Sequence, residues 1–312
     1  MKLSKFLVIT KAPRVVVSLF VFVIAALVPL VTANVDRKTI VGGPFSAFAT
    51  EEELLASFGD LGDQTHYLIW AQKLFQLLGA HDSNWSEGFR TQVSQWPPGQ
   101  IFYDLLVIGL SHATFIPFTF LFILINALSW SLILGWLYSS IYRISGNQAA
   151  PLITVVLILS HSLFSEWGTL TGLFFADTPS MLAFLGFLLA LLEATNATTL
   201  RSRTRWLILS GILLGIASYF KAGFELLTTV FLVFAVVALV ANWLRAKYLD
   251  KKGIVTTRFL GGLFWIAPAT AFVLQLPWRL LMHFYIWADG RWGWVRGNDY
   301  WQGLRWKPTV FQ

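Results

Sequence analysis

Cysteine is absent from this 312-residue chain, which excludes disulfides, zinc thiolate centres and cysteine nucleophiles while leaving the redox compartment open. Charge is scarce. Asp, Glu, Lys and Arg make up 12% of the residues, about half of the roughly 25% usual in soluble domains. No P-loop, GxSxG elbow or HExxH pair occurs, and His66, His81, His112, His161 and His283 share no metal-binding spacing. Nucleotide hydrolysis and metal-dependent hydrolysis therefore find little support. Internal repeats and low-complexity tracts are also missing.

What fills the chain is apolar. The hydrophobic fraction is 56% and the mean hydropathy is +0.64, values of a polytopic membrane protein. Apolar runs approaching or reaching the roughly 17 to 25 residues of a spanning helix lie at 15–33, 116–141, 181–194, 206–220, 224–243 and 260–282. Lys2, Lys5, Lys11 and Arg14 precede the first run, whose length and lack of a small-residue cleavage site read as a retained anchor. The net charge of +7 does not point to nucleic acid, because the basic residues cluster beside apolar runs rather than along one face. They are topology signals. The N-terminal group, Arg201 with Arg203 and Arg205, and the set Arg245, Lys247, Lys251, Lys252 and Arg258 belong on the cytoplasmic side.

With the N-terminus inside, segment 34–99 becomes an external loop, carrying eight acidic residues against four basic ones. Three further crossings, at 117–142, 151–164 and 178–194, return Arg201 to the cytoplasm, and 206–220, 224–243 and 260–282 complete seven. Segment 101–112 is then a half-embedded or re-entrant helix, which is permitted where protein surrounds the backbone. The expected fold is an all-α polytopic membrane helix bundle of about seven to eight transmembrane helices. Its external first loop carries amphipathic juxtamembrane helices. Residues 1–282 form this module, and 283–312 form a short Trp-rich external tail that reads as the start of a further C-terminal region.

The polar, acid-bearing stretch 61–99 between long apolar segments is the candidate active site: long loops without structure of their own tend to be functional or disordered, and this one carries a helical pattern. Tyr67, Trp70, Ala71, Leu74, Leu77 and Leu78 recur at helical spacing after Asp63, the pattern of an interfacial amphipathic helix. Asp63 is a good helix cap and also a carboxylate free to face a substrate; Asp60 is the neighbouring alternative, and Glu51 to Glu53 read as a solvated charge run. Asp177 and Glu166 stand at the edges of apolar runs, where an ionisable group is either a cap or functional. Lys221, alone between two apolar runs, either snorkels to the interface or offers a point charge to a lipid-borne phosphate. Trp96-Pro97-Pro98-Gly99 stiffens the chain where it re-enters the membrane.

Taken in order, these pieces resemble the N-terminal membrane module of the GT-C glycosyltransferase superfamily, in particular its protein O-mannosyltransferases and lipid A aminoarabinose transferases. The resemblance rests on Asp63 followed by Tyr67 and Ala71, the Pro97-Pro98 pair, Asp177-Thr178-Pro179, Gly211 and Gly215 leading to Lys221 and Gly223, and Leu276-Pro277-Trp278. It implies transfer of a sugar from a polyprenyl-phosphate donor to a hydroxyl of a lipid, glycan or protein acceptor on the external face of a bacterial inner membrane. Asp63 would be the general base and Asp177 would orient the acceptor, or the two would share a divalent cation. Tyr67 and Glu166 would line the substrate site, and Lys221, Arg279 and Arg291 would hold the donor phosphate. The tail residues Trp287, Trp292, Trp294, Tyr300 and Trp301 suit the lipid headgroup belt. A transporter or lipid flippase and a noncatalytic assembly subunit are the competing readings.

Overall fold

A computed structural model describes residues 3–32, 48–58, 63–79, 98–164, 177–221, 223–248 and 263–288, and every regular element among them is helical. In chain order these are α1 (Leu3–Thr32), α2 (Glu51–Phe58), α3 (Asp63–Gly79), α4 (Gly99–Thr114) and α5 (Phe118–Ser145), followed by α6 (Ala149–Phe164), α7 (Asp177–Asn196), α8 (Leu200–Phe220), α9 (Gly223–Tyr248) and α10 (Ile266–Ala288). The all-α expectation holds. Stretches Pro13–Leu30, Phe118–Ser145, Thr178–Asn196 and Gly223–Ala241 are each long and apolar enough to cross a membrane. The remaining expected crossings correspond to α6, α8 and α10. Ala149–His161 and Ile266–Trp278 are shorter apolar stretches, and Arg201, Arg203 and Arg205 occupy the first turns of α8.

Large apolar side chains face outward along whole helix faces. Val15, Val16, Leu19, Phe20, Val23 and Leu27 are exposed on α1, and Val233, Phe234, Val236, Val237 and Val240 on α9. Such contiguous apolar surface suits lipid and not water. The chain is a membrane protein.

The helices group into two compact units, Met1–Gln92 with Pro98–Leu182, and Val93–Pro97 with Ala183–Gln312. In the first unit α1 and α5 pack along one another. Ser131 Oγ donates to the Ser18 carbonyl at 2.8 Å, and Gly135 leaves the space that Ser18 fills, with Arg14 beside it. As the α5 numbers rise the α1 numbers fall, so the two helices run antiparallel. Arg143, near the end of α5, therefore shares an end of the unit with the basic start of α1. At the opposite end, Ala49 accepts from the Thr119 backbone N–H at 3.2 Å and hydroxyl at 3.1 Å, fixing the entry to α2 against the start of α5.

Helix α2 opens with a capping box: the Thr50 N–H donates to Glu53 Oε2 at 2.9 Å, and the Glu53 N–H to Thr50 Oγ1 at 3.2 Å. Glu51 is buried and bonds His112 at 2.7 Å. The charge run expected to be merely solvated thus has two structural members, because a cap needs the residue three positions on and a half-exposed histidine needs a partner. Phe75 of α3 lies against the same histidine, with ring centroids 4.8 Å apart.

In the second unit α8 packs on α10 by close backbone approach. A side chain at Gly211 would strike the Ala267 carbonyl and Thr270, and one at Gly215 would meet Leu274 at 2.6 Å. This is the small-residue contact that lets helices associate where lipid removes the hydrophobic drive. Tyr219 donates its hydroxyl to the Leu274 carbonyl at 2.8 Å. Phe187, Leu214 and Ala271 form the core, with Phe184, Phe224 and Phe231 packed against it. A smaller cluster of Ala194, Leu207 and Ala267 continues it.

Candidate functional site

Helix α3 begins at Asp63, where the sequence pattern places a helix start. Its buried face is Tyr67, Leu68, Ala71 and Leu74. Trp70 and Leu77 are half-buried and Leu78 is exposed, so the apolar stripe is rotated by about one position from the expected one. Leu68 was missed because the spacing from Tyr67 favoured Trp70, whose ring instead stays at the edge with the Lys73 ammonium 4.3 Å above it. The Asp63 side chain lies outside the described residues. Asp177 likewise begins α7, with its side chain outside the described residues and the buried Thr178 and Ser180 directly after it.

Lys221 occupies the short link between α8 and α9. Its backbone N–H caps α8 through the Ala217 carbonyl at 3.0 Å, and its own carbonyl accepts from the Phe224 N–H at 3.1 Å, so the residue is tied at both sides. Its side chain is exposed, yet the surrounding protein desolvates the ammonium enough to lower its pKa from the ordinary lysine value. An anion close by would favour the charged form again. Arg279 lies in α10 with its side chain outside the described residues, and Glu166, Arg291 and residues 289–312 lie outside them altogether. Asp63, Tyr67 and Asp177 belong to the first unit; Lys221 and Arg279 belong to the second. Among the described residues no three His, Asp or Glu side chains converge in a way that would hold a metal ion.

The most unusual polar group in the described structure is one that sequence reasoning passed over. Asp104 stands in the middle of α4 at 2% exposure, beside Gln100 at 0%. Gln100 Nε2 donates to Asp104 Oδ1 at 2.6 Å, while Gln100 Oε1 has no hydrogen-bond partner. One position away, Tyr103 gives its hydroxyl to Oδ1 of the buried Asn126 at 3.0 Å and sets its ring edge-on to Phe122 at 5.0 Å. The opposite face of α4 presents Phe102, Leu106 and Leu110 to the outside, which is why 101–112 looked simply apolar. The readable signal was a lone carboxylate one helical turn after a glutamine, Gln100 to Asp104, within an apolar helix.

The contacts of α4 also fix its direction. Its last turn lies near the start of α5, with Ser111 Oγ donating to the Ile116 carbonyl at 2.6 Å and Phe115 turning the chain in the left-handed region at φ 58°. Its first turns lie instead beside Phe122 and Asn126, one and two turns along α5. Asp104 is thus displaced from the α2 end of the unit toward its middle. Together the features define a membrane protein with an amphipathic helix at a loop carboxylate and a buried carboxylate on the helix packed beside it. Comparison with protein-family descriptions, characterised proteins and solved structures finds no match to this chain.

Proposed function

We propose that this protein is a membrane glycosyltransferase of the GT-C type, which moves a sugar from a polyprenyl-phosphate donor to an acceptor hydroxyl with Asp63 as general base. The observation that carries the reading is the start of α3 at Asp63, with its buried Tyr67 face packed on α4. A carboxylate at a helix start is held by the backbone while remaining available to a substrate, and partial desolvation near a membrane interface suits proton abstraction at neutral pH. In this reading the acceptor oxygen attacks the anomeric carbon, the bond from that carbon to the phosphate oxygen breaks, and Asp63 takes the hydroxyl proton. The leaving polyprenyl phosphate is met by Lys221, with Arg279 and Arg291 as further cationic contacts, while Tyr67 and Glu166 line the substrate site.

Asp177 orients the acceptor or shares a divalent cation with Asp63 through oxygen ligands. The threading that goes with this assignment has seven crossings, a re-entrant α4, and both segment 34–99 and the Trp-rich tail on the external face of a bacterial inner membrane. The antiparallel α1 and α5, which bring Arg143 to the end of the basic N-terminus, support that threading. The test is transfer from a panel of polyprenyl-phosphate sugars by the purified protein in liposomes, read by mass spectrometry. Asp63→Asn should lower the rate by about 10²- to 10⁴-fold, the usual contribution of a general base. Unchanged transfer by that variant removes Asp63 from the role.

A second reading, a transporter or lipid flippase, is favoured by one observation, the carboxylate of Asp104 buried within an apolar helix. Movement of a labelled lipid or solute across proteoliposomes, with no sugar transferred, selects it.

A further inference from the structure

A carboxylate is an acceptor-only group, and so is an amide oxygen. Asp104 and Gln100 place both kinds together where water does not reach, at 2% and 0% exposure. In the arrangement observed, Gln100 Nε2 satisfies Asp104 Oδ1 at 2.6 Å and leaves Gln100 Oε1 without a donor. Exchanging the two ends of the amide, which heavy-atom positions scarcely distinguish, does not help. It sets two acceptor oxygens at 2.6 Å, a separation that itself requires a hydrogen between them. Either way the pair is short of one proton.

Among the described residues no other group answers this demand. No ion pair of Asp104 occurs among the described residues, and burying an ion without a partner costs several kcal/mol, a penalty of the order that drives such groups to neutralise. The ionisable residues of α4 and of the helices packed against it are few. On α4 itself, Tyr103 gives its hydroxyl to Asn126 and His112 pairs with Glu51. On α3, Lys73 is exposed over Trp70, and Asp63, His66 and Tyr67 make up the rest of that helix's titratable groups. On α5, Tyr138, Tyr142 and Arg143 begin three turns beyond Asn126, toward the end of the unit that holds the start of α1.

We propose that Asp104 and Gln100 form a binding site for a single proton. The Asp104 carboxyl is held as the neutral acid, its O–H donates to Gln100 Oε1, and Gln100 Nε2 donates back to the other carboxyl oxygen. This closed acid–amide ring satisfies every polar atom of the pair. Loss of the proton sets a carboxylate against the amide oxygen and forces α4 to loosen from its neighbours, so occupancy of the site and the packing of α4 are linked. The proposal is independent of whether the protein transfers sugar or moves a solute.

The test is infrared spectroscopy of the full-length protein in liposomes, with aspartate carbon-13-labelled at the side-chain carboxyl and the pH stepped from acid to alkaline in sodium or choline buffer. The expected result is a carbon-13-sensitive protonated-carboxyl band at neutral pH that is lost in Asp104→Asn and shifted in Gln100→Leu. Should Asp104→Asn fail to fold, Asp104→Glu retains a carboxyl but carries no label, so the isotope shift alone should vanish. Absence of any such band at neutral pH overturns the proposal. So does its disappearance when sodium replaces choline at constant pH, which would show a metal ion in place of the proton.

Discussion

Two buried glutamines, one in each unit, make opposite use of the same side chain. Gln275 of α10 donates through Nε2 to Ser218 Oγ at 2.7 Å and to Thr228 Oγ1 at 2.9 Å. Those two hydroxyls pass their own protons to the Leu214 and Phe224 carbonyls of their helices. One amide thereby joins α8, α9 and α10, and both hydroxyls it meets find acceptors for their own protons. Gln100 bonds a carboxylate four residues along its own helix and leaves its oxygen unanswered. The first arrangement is what membrane helices use to associate. The second brings no helix closer to another and leaves one buried acceptor unanswered.

That contrast can be tested by substitution, beginning where the largest loss is expected. Gly211→Leu should destabilise the protein by about 2 to 3 kcal/mol, because its side chain would strike the Ala267 carbonyl and Thr270, which are backbone and a branched residue with little freedom to yield. Unfolding of the purified protein by SDS titration in mixed micelles measures this, and an unchanged midpoint would deny the close approach of α8 and α10. Gln275→Leu should cost about 1 to 2 kcal/mol in the same titration, since interhelical hydrogen bonds in membranes average roughly 0.6 kcal/mol each and two are lost. The smallest effect is expected from Asp104→Asn, within about 0.5 kcal/mol, because an asparagine amide can reproduce the acid–amide ring. A loss of about 3 kcal/mol there would instead mark a charged, paired carboxylate and erase the distinction between the two glutamines.

The outcome at single residues shows what the sequence made legible. The helices were readable because length and apolar content alone decide what can cross a bilayer, and the starts of α3 and α7 at Asp63 and Asp177 followed from local patterning. Gly211 and Gly215 stand out as part of a Gly-rich run leading to Lys221, but their contact with Ala267 and Leu274 depends on a helix nearly sixty residues away. Glu51 looked solvated because nothing nearby in sequence predicts His112 as its partner, 61 positions on. Asp104 was overlooked for a related reason. Its neighbours Phe102, Leu106 and Leu110 made the helix look uniformly apolar, and periodicity does not say which face is turned inward.

The sequence by itself determined that this is a helical membrane protein, because the bilayer imposes its requirement on each segment separately: enough apolar length, with every backbone polar group satisfied within the helix. Only the tertiary structure decided which polar side chains would be buried and what they would meet. Burial is a property of pairs of helices, and the antiparallel packing of α1 on α5 and the course of α4 along α5 bring together residues that no local pattern connects. A carboxylate's chemistry is set by its surroundings. The surroundings of Asp104 exist only once α4 is packed.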